Sequence, residues 1–108
     1  MRKTYKDFGA ALDELRVEQD LSYDRLSLQI NMTASYLYSI INRRIASAPK
    51  DAIIEKIAKF FSVEPEYFFE YRLRKMIAFV EDNREFLDHC EKERTKWTKK
   101  EDKGIKWG

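Results

Sequence analysis

Glycine and proline are nearly missing from this chain, which has three glycines (Gly9, Gly104 and Gly108) and two prolines (Pro49 and Pro65) in 108 residues. A sandwich or barrel of strands turns every few residues, and its tight turns draw on glycine for positive φ and on proline for a fixed φ. With two of the three glycines among the last five positions, a multi-strand fold lacks its turns. The expectation is an all-α protein. At this length it is one domain with an appendage.

The same scarcities exclude function classes. A phosphate-cradling loop needs clustered glycines whose N–H groups approach the anion, and no two glycines lie close together before position 104. One histidine, His89, and one cysteine, Cys90, build neither a zinc site nor a disulfide framework, so no metal and no cofactor is expected and the pair reads as part of a helix face. No nucleophile–base couple or carboxylate dyad is evident, and an enzyme is not expected. No apolar run approaches the roughly 20 residues of a membrane span, and no signal-peptide core follows Met1, so the chain is expected to be cytoplasmic and off the membrane.

Capping signals divide the first seventy residues into short helices. Thr4 with Asp7 resembles a capping box and predicts a first helix starting there and ending near Gln19–Asp20, with Tyr5, Phe8, Ala11, Leu12 and Leu15 on its apolar stripe. Ser22 caps a second helix running to Ile30, and Asn31 suits the left-handed residue that stops it. Thr33 caps a third, Ala34 to Ile41, whose inward residues are Leu37 and Ile40, with Tyr36 also read as core. After the basic stretch 42–48, Pro49 suits the first turn of a fourth helix with Ile53, Ile54, Ile57, Ala58 and Phe61 inward. Pro65 then opens a short fifth element, Glu66 to Phe69, whose aromatics pack on the first and fourth helices. The expected domain spans 4–70.

From 71 to 97 the apolar spacing becomes 3-4-3-4, which predicts a helical arm. Leu73, Met76, Val80, Asn83, Leu87 and Cys90 fall on one seam, with Asn83 as a single polar residue in an apolar line. This seam suits a symmetric partner helix, although the arm can instead fold back as a sixth helix on its own domain. Residues 98–108 form a polar, basic and flexible tail.

Two short helices joined by a tight turn, the second opening on small polar side chains and followed by two arginines, have the layout of a helix-turn-helix. Phe8 to Phe69 resembles the lambda-repressor-like (Cro/cI, XRE) DNA-binding domain. The matching residues are Leu12, Leu15, Leu21-Ser22, Leu26-Ser27, Ile30-Asn31-Met32-Thr33, Ser35-Tyr36-Leu37, Ile40, Pro49, Ile54, Ile57-Ala58-Lys59, Val63 and Pro65-Glu66-Tyr67-Phe68. The resemblance implies five helices, with the second and third as the reading pair, and a sequence-specific transcriptional regulator that binds double-stranded DNA as a homodimer. The chain departs from the family pattern at Tyr23 and Ala34, where glutamines are common, at Ile41 in place of a glutamate and at Arg43 in place of a glycine. The loop before Pro49 is also about two residues longer.

In a major groove the first residues of the reading helix face base edges, so Ala34, Ser35, Tyr38 and Ser39 are the candidate base contacts. Their chemistry offers no bidentate pairing, and Tyr38 can equally meet a sugar or lie against the arginine loop. Thr33 at the helix start, Asn42, Arg43 and Arg44 after it, and Tyr23 at the first turn of the second helix are candidate phosphate contacts. Arg16, whose glutamate partner in the resemblance is replaced by Ile41, is a further one. A different use of the same fold is a protein-binding adaptor or antitoxin-like partner. The net charge of +2 is divided unevenly: residues 1–71 carry 10 basic and 11 acidic groups, net −1, and residues 72–108 carry 11 and 8, net +3. The cations of the reading domain are therefore local rather than massed.

Overall fold

A computed structural model describes residues 2–42 and 48–102, the last four of these as backbone alone. The described chain runs through α1 (Phe8–Glu18), α2 (Tyr23–Ile30), α3 (Ala34–Ile41), α4 (Asp51–Phe60), a 3-10 turn (Pro65–Tyr67), α5 (Phe69–Asp82) and α6 (Phe86–Asp102). It is all-helical, with no strand among the described residues. Two compact units emerge, Met1–Arg74 and Lys75–Gly108.

The first unit owns the core. Phe8, Ala11, Leu12 and Leu15 of α1 meet Leu26 and Ile30 of α2, Leu37 and Ile40 of α3, and Ile54, Ile57 and Ala58 of α4. Tyr67, Phe68 and Tyr71 close it, with the Phe8 and Phe68 rings 4.6 Å apart. Each of the large side chains among these contributes about 1.5–3 kcal/mol by leaving water. Ile53 and Phe60 pack on this cluster from its edge, as does Ile41 where the family pattern has a glutamate.

Three local expectations are corrected. First, α1 begins at Phe8, not at Thr4. The Thr4 hydroxyl accepts from Lys6 N–H at 3.2 Å, and the Thr4 N–H donates to Tyr67 O at 3.0 Å, so this residue anchors the segment that leads into α1. Asp7 holds the N-cap position without a side-chain cap. The first amide of α1 is satisfied from far away, because Phe8 N–H donates to Glu70 Oε2 at 3.0 Å. A carboxylate there also faces the positive end of the helix dipole.

Second, Pro49 lies outside α4, with Lys50 as N-cap and Asp51 as the first helical residue. The buried Pro49 presents its carbonyl to Arg74, whose Nη1 donates to Pro49 O at 2.7 Å and Nη2 to Ala48 O at 2.9 Å. Third, the fifth element is not a separate short helix. Pro65–Tyr67 makes one 3-10 turn, after which α5 starts at Phe69 and runs on into the arm. The first compact unit accordingly runs past residue 70, to Arg74. Arg72 donates to Glu66 O, Tyr67 O and Thr4 O at 2.7, 2.9 and 2.8 Å, and Tyr71 donates its hydroxyl to Glu55 Oε2 at 2.7 Å. That bond, with burial and the negative charge beside it, pushes the Tyr71 phenol up to about 12.

The second unit holds the end of α5 and all of α6. The arm expected over 71–97 is helical in two pieces, α5 ending at Asp82 and α6 running from Phe86 to Asp102, with residues 83–85 between them. Asn83 explains the interruption: its side-chain Nδ2 donates to Phe79 O at 3.0 Å, the carbonyl its own N–H also bonds at 2.9 Å. A short amide that competes for helix carbonyls favours an end over an interior. Phe79 and Phe86 meet edge to face at 5.2 Å across this junction, and His89 stacks on Phe86 at 5.3 Å. Of the expected seam, Leu73, Met76 and Val80 lie on α5, Asn83 in the junction, and Leu87 and Cys90 on α6. Residues 103–108 of the basic tail lie outside the described residues.

Candidate nucleic-acid interface

The turn between α2 and α3 is built from three residues. Asn31 takes φ 55° and ψ 50°, the left-handed conformation that asparagine tolerates, and Met32 N–H reaches back to Ser27 O at 2.9 Å. Thr33 then caps α3, its Oγ1 accepting from Tyr36 N–H at 3.1 Å, as Ser22 caps α2 by accepting from Arg25 N–H at 3.1 Å. Ser27 is buried in this corner and donates to Asp24 O at 2.7 Å, so its hydroxyl is satisfied where a larger side chain would separate the helices.

The back of α3 rests on α1. A Cβ at Gly9 would stand 2.3 Å from Ile40 O, so only glycine lets the two backbones come this close. This contact, with Leu37 and Ile40 buried beside it, fixes which side of α3 faces outward. Ser35 and Tyr38 are exposed on that side, Ala34 and Ser39 half-buried. Ser39 donates its hydroxyl to Ser35 O at 3.0 Å, and Asn42 donates its amide to Tyr38 O at 2.9 Å.

A relay of side chains supports the outer face from below. Arg16 is not free: Nε and Nη2 donate to Asp13 Oδ1 at 3.0 and 2.6 Å, and Nη1 to Leu21 O at 2.7 Å. Its guanidinium lies 4.2 Å over the Tyr23 ring, and Tyr23 meets Tyr38 edge to face at 5.7 Å. The structure thus brings together Arg16, Tyr23 and Tyr38, which the sequence placed on three separate helices. Tyr38 has Tyr23 as a ring neighbour, and the arginine loop it was also expected to meet lies outside the described residues.

Thr33 and Asn42 sit exposed at the two ends of α3, while Arg43 and Arg44 lie outside the described residues. Gly9 was missed as a positioning residue, although a lone glycine inside an amphipathic helix is the usual sign of close backbone approach. Glu70 and Arg74 gave no such sign.

A helix-turn-helix family model, of the XRE, lambda-repressor-like type, matches residues 12–68. The chain belongs to this family. Its members are DNA-binding regulators, and the match covers α2, the turn and α3 whole. Neither the curated proteins nor the solved structures returned a match. Among the described residues no cluster of histidine, cysteine and carboxylate side chains could hold a metal ion, and no helix is long and apolar enough to cross a membrane.

Proposed function

We propose that this chain is a sequence-specific transcriptional regulator of the Cro/cI type that lays α3 in the major groove of double-stranded DNA and acts in the cytoplasm as a homodimer, without enzymatic activity. One observation carries the reading: α3 is clamped to α1 at Gly9 and capped by Thr33, so that Ala34, Ser35, Tyr38 and Ser39 are held on the side away from the core. That is what base contact requires of a reading helix. Thr33, Asn42, Arg43, Arg44 and Tyr23 supply phosphate contacts, and Arg16 acts through Tyr23 instead of reaching the DNA itself.

Support for the homodimer comes from the arm. Leu73, Met76, Ile77, Phe79 and Leu87 are each about half exposed, and an open groove of about 400 Å³ is lined by Phe79, Asn83, Glu85, Phe86 and His89. Exposed apolar side chains in such number are normally covered, and a second copy of the arm is the proposed occupant; two reading helices of a helix-turn-helix dimer stand about 34 Å apart.

Selection of duplex DNA from a random pool tests the proposal. The expected result is a consensus with two-fold symmetry, bound at least tenfold more weakly by the double variant Arg43→Ala, Arg44→Ala. An unenriched pool would contradict it and favour the protein-binding use of the fold.

A further inference from the structure

We propose that α3 recognises DNA chiefly through the methyl groups of thymine, which makes its ligand a duplex with thymines at fixed major-groove positions. This rests on the DNA-binding reading above and adds the chemistry of the target.

The reading helix has the sequence ASYLYSII, with no arginine, lysine, asparagine, glutamine or carboxylate in its eight residues. None of its side chains can form the two parallel hydrogen bonds that identify guanine or adenine. Its small polar groups are largely engaged within the helix. The Ser39 proton goes to Ser35 O, the Asn42 amide just beyond the helix to Tyr38 O, and the Thr33 oxygen accepts from Tyr36 N–H. What the outer face offers is the Ala34 methyl, the Ser35 hydroxyl and the Tyr38 ring, 43% exposed.

The ring is also held in place. Tyr23 meets it edge to face at 5.7 Å, and the Arg16 guanidinium, bonded to Asp13 and Leu21, lies 4.2 Å over the Tyr23 ring. Beside the Tyr38 hydroxyl, the ring face and the Ala34 methyl are apolar, and the feature of the major groove that complements such surface is the C5 methyl of thymine. Ser35 beside it accepts or donates to several bases and does not discriminate.

The experiment uses the full chain and the duplex it selects from a random pool, resynthesised with deoxyuridine in place of thymine at one position at a time. Uracil keeps the pairing and the O4 acceptor and lacks only the methyl. The expected result is about fourfold weaker binding at one or two positions of each bound site, the effect of removing one buried methyl, and no change elsewhere. Tyr38→Ala or Ala34→Gly removes the difference at one of these positions, and Tyr38→Phe retains it. Binding unchanged by deoxyuridine at every position, or a consensus without thymine, overturns the inference and leaves the DNA-binding reading standing. Failure to select any duplex overturns both.

Discussion

Two phenylalanines eleven residues apart, Phe68 and Phe79, show how differently the two units are built. Phe68 is fully buried between the rings of Phe8 and Tyr67, whereas Phe79 is half exposed on α5 with Phe86 as its ring neighbour. Across the first unit every helix contributes side chains to one core. From Lys75 to Thr98 no described residue is buried. On the proposed function, the unit that buries its own apolar surface positions the reading helix, and the unit that leaves its apolar surface exposed meets the second copy.

The sharpest way to break that contrast is to truncate both rings. Phe68→Ala is expected to cost about 3–5 kcal/mol of unfolding free energy, the usual loss for a buried phenylalanine, while Phe79→Ala changes monomer stability by about 0.5 kcal/mol or less and instead lowers the mass seen by light scattering at micromolar concentration from two chains to one. Equal costs in urea melts would erase the distinction. Next in size is Gly9→Ala. Its new methyl must push Ile40 O away, which is expected to cost about 1–3 kcal/mol and to weaken DNA binding further by shifting α3. A variant as stable as the parent would mean that α1 and α3 lie farther apart than described.

Glu70→Ala probes the long-range cap. Loss of the bond to Phe8 N–H is expected to cost about 1–2 kcal/mol, read as a lower melting temperature without loss of helical content. No change would show that water serves that amide equally well.

The smallest effect concerns Tyr71. Its phenol is raised from 10 to about 12 by the bond to Glu55, so the stabilisation is complete below pH 10 and lost as pH rises from 10 to 12. Chemical denaturation over that window should fall more steeply for the parent than for Tyr71→Phe, in which lysines titrate alike but this group is gone. Parallel curves would remove Tyr71 from the closure of the core.

What could be read from the sequence tracks the range of the interactions. The caps at Ser22 and Thr33 and the left-handed Asn31 lie within three residues of the groups they satisfy, and all three stand where the sequence placed them. Glu70 caps a helix 62 residues away, and Arg72 reaches across 68 residues to Thr4, so neither declares itself in a local pattern. Apolar spacing alone predicts the arm, and it carries no sign that Asn83 takes a carbonyl from its own helix and ends it. Arg16 was legible as a cation near the reading pair, but its engagement with Asp13, Leu21 and Tyr23 depends on how α1 meets α2.

On the proposed function α3 and the arginines after it grip DNA with few but local cations, a property that the salt dependence of binding to the selected duplex reads out. With Arg43 and Arg44 as the phosphate-neutralising groups of each protomer, log K should fall linearly with log salt, with a slope of about −4 for the dimer. The same titration on the double arginine variant should be nearly flat. A parent protein whose affinity does not change with salt does not hold DNA through these arginines.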